Sequence, residues 1–174
     1  MVNLKTFELP YGKYMLKGDR SRIGTDQNST ILLHGAGKSS RLTFSRLRKY
    51  LYFHGISSAS FDFVGHGGTG GNIQETTLHG RSDQAAMVIK HMCQEPLTVI
   101  AASMGSYNAI KLTEHFRVKH LILLVPAVYT PQVYDISFGP EFSAIIRKHQ
   151  SWKDSDAFDI ISRFGGTLTI VAAE

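Results

Sequence analysis

The chain has one cysteine, one tryptophan and five prolines in 174 residues. A lone Cys93 excludes an intrachain disulfide, which fits a reducing compartment; its place after "MVIKHM" marks it as a thiol on the buried side of a helix. No apolar run approaches the roughly 20 residues of a membrane span. The mixed polar start "VNLKTFELPYGKYMLKGDR" is not a secretory signal. These absences suggest a cytoplasmic protein without a membrane-spanning segment. Charged residues are scarce at 19%, and the net charge of +5 favours anions only mildly. A surface with some excess lysine and arginine accounts for it, and no nucleic-acid partner is expected. His79, His91, His115, His120 and His149 are scattered on helix or loop positions and no pair falls at metal-ligand spacing, so neither a metal nor a cofactor is expected.

What is present is a regular alternation. Residues 4–9 and 14–16 read as an antiparallel hairpin around Pro10-Tyr11-Gly12. "TILLH" is apolar without a break, as in a strand buried on both faces. A helix follows with Phe44, Leu47 and Leu51 in phase, and with Arg41, Arg46, Arg48 and Lys49 pointing away from that face. Strand "SSASFDF", a helix over 76–93 with Ala85, Val88 and Met92 aligned, strand "LTVIAAS", a helix over 104–116, strand "HLILLVPAV", one or two helices over 141–164 and strand "GTLTIVAAE" complete the order. The pattern predicts an α/β fold: a mostly parallel sheet, helices on both faces, and an N-terminal hairpin. Residues 1–174 read as one domain, with 129–166 a possible short cap. Ligands of such sheets bind at the carboxyl ends of strands, so the strand exits carry the functional question.

The first exit, "HGAGKSS", ends like a phosphate-binding loop at Gly37-Lys38-Ser39. A P-loop needs G-x-x-x-x-G-K-[ST], and its first glycine would fall on Leu32, inside the strand. Asp62-Phe63-Val64-Gly65 imitates a nucleotide switch, but no base-reading N-K-x-D follows. The nucleotide reading is therefore disfavoured, and Lys38 reads as a solvated surface lysine.

The third exit is "AASMGSYNAI". A buried strand ends at Ala101-Ala102-Ser103-Met104-Gly105 and a helix starts at once, in the manner of a nucleophile elbow, G-x-S-x-G, with alanine for the first glycine. Taken alone, Ser103 is equally a serine capping a helix. With His34-Gly35-Ala36-Gly37 and Asp62-Phe63-Val64-Gly65-His66-Gly67 before it, in that order, the set resembles the α/β-hydrolase fold family over roughly residues 25–174.

That resemblance implies a serine esterase, thioesterase or acyltransferase acting on a small acyl ester or thioester, with no cofactor. It makes Ser103 the nucleophile and the backbone N–H groups of Ala36 and Met104 the oxyanion donors. It gives His34, His66 and Asp62 structural work in their turns. Residues Tyr129, Tyr134, Phe138, Phe142, Trp152 and Phe158 either line an acyl pocket or simply pack against the sheet. The family's catalytic aspartate and histidine follow the last strand, and the sequence stops at Glu174. Three accounts stay open: an incomplete form of a longer hydrolase, which is the favoured one; a non-catalytic binding or scaffold protein with the same fold; or an unusual triad using Glu174 as acid with an earlier histidine. Oligomeric state is not legible.

Overall fold

A computed structural model describes residues 4–24 and 28–173. The hairpin forms as expected: β1 (Leu4–Tyr11) pairs antiparallel with β2 (Tyr14–Ser21). Five further strands follow: β3 (Thr30–Leu33), β4 (Ser58–Phe61), β5 (Leu97–Ala102), β6 (Val118–Leu124) and β7 (Thr167–Val171). They lie in the order β1-β2-β4-β3-β5-β6-β7, and every pair from β4 to β7 is parallel. The helices are α1 (Ser45–Phe53), α2 (Leu78–Met92), α3 (Met104–Leu112), α4 (Pro140–Ile146) and α5 (Ala157–Ser162).

Alternate side chains of a strand face opposite ways, and the core divides accordingly. Ile31, Leu33, Val99, Ala101, Leu121 and Leu123 belong to the large cluster that includes α2 and α3. Leu32 and Ile100 turn to the other face, where Phe44, Leu47 and Leu51 from α1 and the turn before it cover them. The helical phase read from Phe44, Leu47 and Leu51 is therefore real, and helices flank both faces. Beyond α1 that second face thins out: Ile122 and Leu124 are only partly covered, and Ile170 and Val171 of the edge strand β7 are about half exposed.

Two expectations need correction. The helix expected over 104–116 ends at Leu112, and isolated turns carry the chain to Phe116 before it enters β6. Arg48 and Arg41 do not simply face solvent. Arg48 is only 5% exposed. Its guanidinium bonds the carboxylate and carbonyl of Asp19 on β2, and the hydroxyl and carbonyl of Ser58 on β4. Arg41 bridges Asp19 to Asp62 at the exit of β4. Asp62 also accepts from the Arg41 and Gly68 amides, both at 2.7 Å. This closed network ties the hairpin, α1 and the second strand exit together.

Its charges balance only as a set. Asp19→Ala leaves Arg48 buried without its counter-ion, and removal of one partner of a buried pair typically costs about 3–5 kcal/mol. The expected result is a drop of that size in urea-unfolding stability, larger than that of Arg48→Met, which removes the buried charge itself.

Candidate active site

β5 delivers the chain to Ser103 and α3 leaves from it within one residue. To make that corner Ser103 adopts φ 50°, ψ −125°, a conformation that side-chain-bearing residues rarely populate. Residues held there store about 1–3 kcal/mol of strain. Neighbouring strands hold it. The Ser103 N–H donates to Leu124 O on β6 at 3.0 Å, and the Ser103 carbonyl accepts from Ser106 N at 2.9 Å and Ala127 N at 3.2 Å. The serine side chain is left exposed at the tip. Among the described residues nothing hydrogen-bonds its hydroxyl, so it is not capping α3.

The glycines around it are there for lack of room. A Cβ on Gly105 would stand 2.6 Å from Leu33 O and 2.7 Å from His34 O. The first turn of α3 is thus backed directly onto the exit of β3. A Cβ on Gly35 would meet Ser103 Cβ at 3.0 Å, which places the β3 exit loop against the serine. Ala101, in the first small-residue place, is wholly buried. Among the described residues the Ala36 N–H has no acceptor. Met104 is the first residue of α3, where an N–H has no carbonyl of its own helix to bond. Two amides without such an acceptor thus lie on the two segments that meet at the exposed, strained Ser103: the β3 exit loop and the first turn of α3. Lys38 is exposed two residues further on, and Leu32 is buried in mid-strand, leaving no phosphate loop.

His34 is not placed to take a proton from Ser103. Its Nδ1–H donates to Gly35 O at 2.7 Å and its Nε2 accepts from Phe63 N at 3.2 Å. Both nitrogens are therefore occupied, Nδ1 within the first strand exit and Nε2 in joining it to the second. Burial lowers its pKa to about 3, with help from the charges of Arg81 and His66. His66 is buried too, and burial lowers its pKa as well. Cys93 is partly buried, and its thiol pKa is pushed up to about 12 by desolvation.

Arg81 was not visible as a site residue. It lies on α2 with no exposure, and its Nη2 donates to His34 O at 2.7 Å and Gly35 O at 3.2 Å. A signal did exist: Arg81 is one turn before Ala85, on the apolar face of the helix. His79, on the first turn of α2, bonds Asp135 through its Nδ1 at 2.7 Å and stacks its ring on Tyr134. Of the six aromatics named above, Phe138 and Phe142 are buried in the core, Tyr129 and Tyr134 are partly buried, and Trp152 and Phe158 are exposed and pack edge-on against each other. Among the described residues no cluster suits a metal ion, and no helix is long and apolar enough to cross a membrane. Glu174 lies outside the described residues.

The strand order, the antiparallel entry and the strained serine between strand and helix define an α/β-hydrolase. The profile of the serine aminopeptidase S33 family matches residues 25–160, and the chain belongs to that family. No curated protein sequence gives a significant match. Among solved structures, a putative hydrolase from Agrobacterium vitis is 17% identical with a TM-score of 0.65, the match covering 98% of this chain and 78% of that one. The thioesterase domain from the curacin biosynthetic pathway gives 18% and 0.65, covering 74% and 48%. A proline iminopeptidase-related protein from Thermus thermophilus gives 20% and 0.60, covering 73% and 46%. The chain spans about half the length of the last two.

Two outcomes follow for stability. Glycine accepts the backbone of Ser103 without strain, so Ser103→Gly should be about 1 kcal/mol more stable than Ser103→Ala in urea unfolding, although glycine is normally the worse residue by 0.5–1 kcal/mol. A histidine held neutral binds its proton more readily once unfolded. Stability from His34 is therefore full above the unfolded pKa near 6.5 and is lost as pH falls towards about 3, at about 1.4 kcal/mol per pH unit. Unfolding midpoints measured from pH 7 to pH 4 should fall with that slope added, and His34→Gln should flatten it.

Proposed function

We propose that this chain carries the nucleophile and oxyanion machinery of a serine acyl hydrolase. Ser103 Oγ attacks the carbonyl carbon of an ester or thioester. The C=O π electrons move onto oxygen, and the amides of Ala36 and Met104 receive that oxyanion. Collapse expels the alcohol or thiol and leaves an acyl-enzyme on Ser103, which water or another acceptor releases. Donors of this kind contribute about 3 kcal/mol each to the transition state. The observation that carries the reading is the conformation of Ser103. A chain needing only a helix cap has no reason to hold a serine at φ 50° with its hydroxyl unbonded.

The substrate is a small acyl compound, in keeping with a thioesterase among the structural neighbours. Residues 129–166 serve as its cap. The proton must pass to a base, and none touches Ser103 Oγ among the described residues. The acid and base of the working enzyme therefore come from outside this set, and the 174-residue chain alone reacts slowly. The same observation favours a second reading, a binding or scaffold protein that keeps the fold without turnover.

Intact mass spectrometry after treatment with a fluorophosphonate distinguishes the two. One adduct, absent in Ser103→Ala, is the expected outcome; an unmodified chain after prolonged exposure favours the binding protein.

A further inference from the structure

Arg81 has an arrangement that neither the fold nor the acyl chemistry has yet explained. The side chain is fully buried, and no carboxylate of the described residues pairs with it. Its Nε donates to Asn108 Oδ1 at 3.3 Å, its guanidinium lies over the Phe63 ring at 3.8 Å, and its Nη1 has no hydrogen-bond partner among the described residues. Burial lowers its pKa to about 9, so it remains a cation at neutral pH. A buried charge met only by neutral dipoles is expensive, and an apolar side chain of similar length would avoid that expense. Stability alone does not account for an arginine here.

The two carbonyls it does hold are those of His34 and Gly35. The Gly35 carbonyl belongs to the same peptide unit as the Ala36 N–H. A trans peptide is planar, with C=O and N–H pointing in opposite directions. Fixing the oxygen on a cation in the interior therefore aims the Ala36 N–H the other way, out of the interior. The same oxygen also accepts from His34 Nδ1, so it is held from two sides. A cation on the oxygen further polarises the amide, since linked hydrogen bonds strengthen one another in a low-dielectric interior.

We infer that Arg81 is a positioning residue for the oxyanion hole: from behind the loop, its buried guanidinium locks and polarises the Gly35–Ala36 peptide so that the Ala36 amide is preset to receive negative charge. This rests on the acyl-transfer reading for its catalytic consequence, but not for the lock itself. The site would thus draw on a full positive charge without presenting a cation to the substrate.

The test uses the 174-residue chain with Arg81→Met, Arg81→Lys and wild type, each checked for a cooperative thermal transition. The Gly35 carbonyl carbon and Ala36 amide nitrogen resonances report the peptide lock directly. Both should move upfield in Arg81→Met, and less so in Arg81→Lys, which keeps the charge and remains interpretable if the Met variant does not fold. Fluorophosphonate labelling supplies the second readout. The maximal labelling rate should fall about tenfold or more at unchanged half-saturating probe concentration, against roughly 100- to 1,000-fold for loss of a whole oxyanion donor, with partial recovery in Arg81→Lys. Unmoved resonances, or labelling at the wild-type rate in Arg81→Met, overturn the inference. Shifted resonances in a chain whose wild type takes no probe overturn the acyl-transfer reading instead and leave the lock standing.

Discussion

The turn at Ser103 constrains the rest of the structure. A strand cannot hand over to a helix within one residue unless that residue leaves the ordinary backbone regions, and Ser103 does so. Nothing in the local sequence compels it, since the strain is unfavourable by about 1–3 kcal/mol. It persists because Leu124 of β6 and Ala127 just beyond that strand hold the Ser103 N–H and carbonyl, and because α3 then lies so close to β3 that only glycine fits at position 105. The exits of β3, β5 and β6 are therefore one mechanical unit. The geometry of the serine depends on residues from Leu33 to Ala127.

Two buried arginines show how differently this fold treats charge. Arg48 meets Asp19, and Arg41 links Asp19 to Asp62, so four charges sum to zero in a closed network. Such a network fixes the hairpin to the sheet but has no field left over. Arg81 meets only carbonyl oxygens, an aromatic face and an amide. Burial lowers the basicity of His34 and His66 beside it, and the Arg81 charge adds to that effect. Those histidines are consequently neutral, which lets His34 accept the Phe63 amide proton with one nitrogen while donating to Gly35 with the other. Burial and the uncompensated charge act in the same direction on the hydrogen-bonding roles of these neighbours.

The features legible in the sequence are those whose cause is local. Unbroken apolar runs announce buried parallel strands, and Gly105 in the elbow and Gly35 beside it announce close approach, because each requirement acts on the residue itself. The sheet and the three strand exits were therefore readable, as was the place of Ser103 at a strand–helix corner. The misses are pairings across the fold. Arg48 sits on α1 among charged residues and looks solvated. Its contacts with Asp19 on β2 and Ser58 on β4 are what hold it buried. Arg81 was in phase with Ala85 and Val88, but helical phase cannot tell a charge bonded to backbone carbonyls from a break in the apolar face. The length of α3 was misjudged because Phe116 matches the helical period, whereas the approach to β6 requires the chain to turn after Leu112.

Charge stabilisation and proton transfer are separable parts of acyl chemistry, and the proposed function assigns only the first to the described residues. In the proposed reading, what would receive the oxyanion is preformed: a strained serine, two amides without other acceptors, and a loop anchored from behind by Arg81 and His34. Nothing among the described residues handles the proton of Ser103. Rigid donors give their benefit without rearranging as charge develops, so they must be built into the core, where packing holds them to a fraction of an ångström. A base only has to reach the serine hydroxyl and can be supplied on a loop or a separate strand. The exposed hydroxyl of Ser103, unbonded and facing outward from the strand ends, is the form such a division of labour requires.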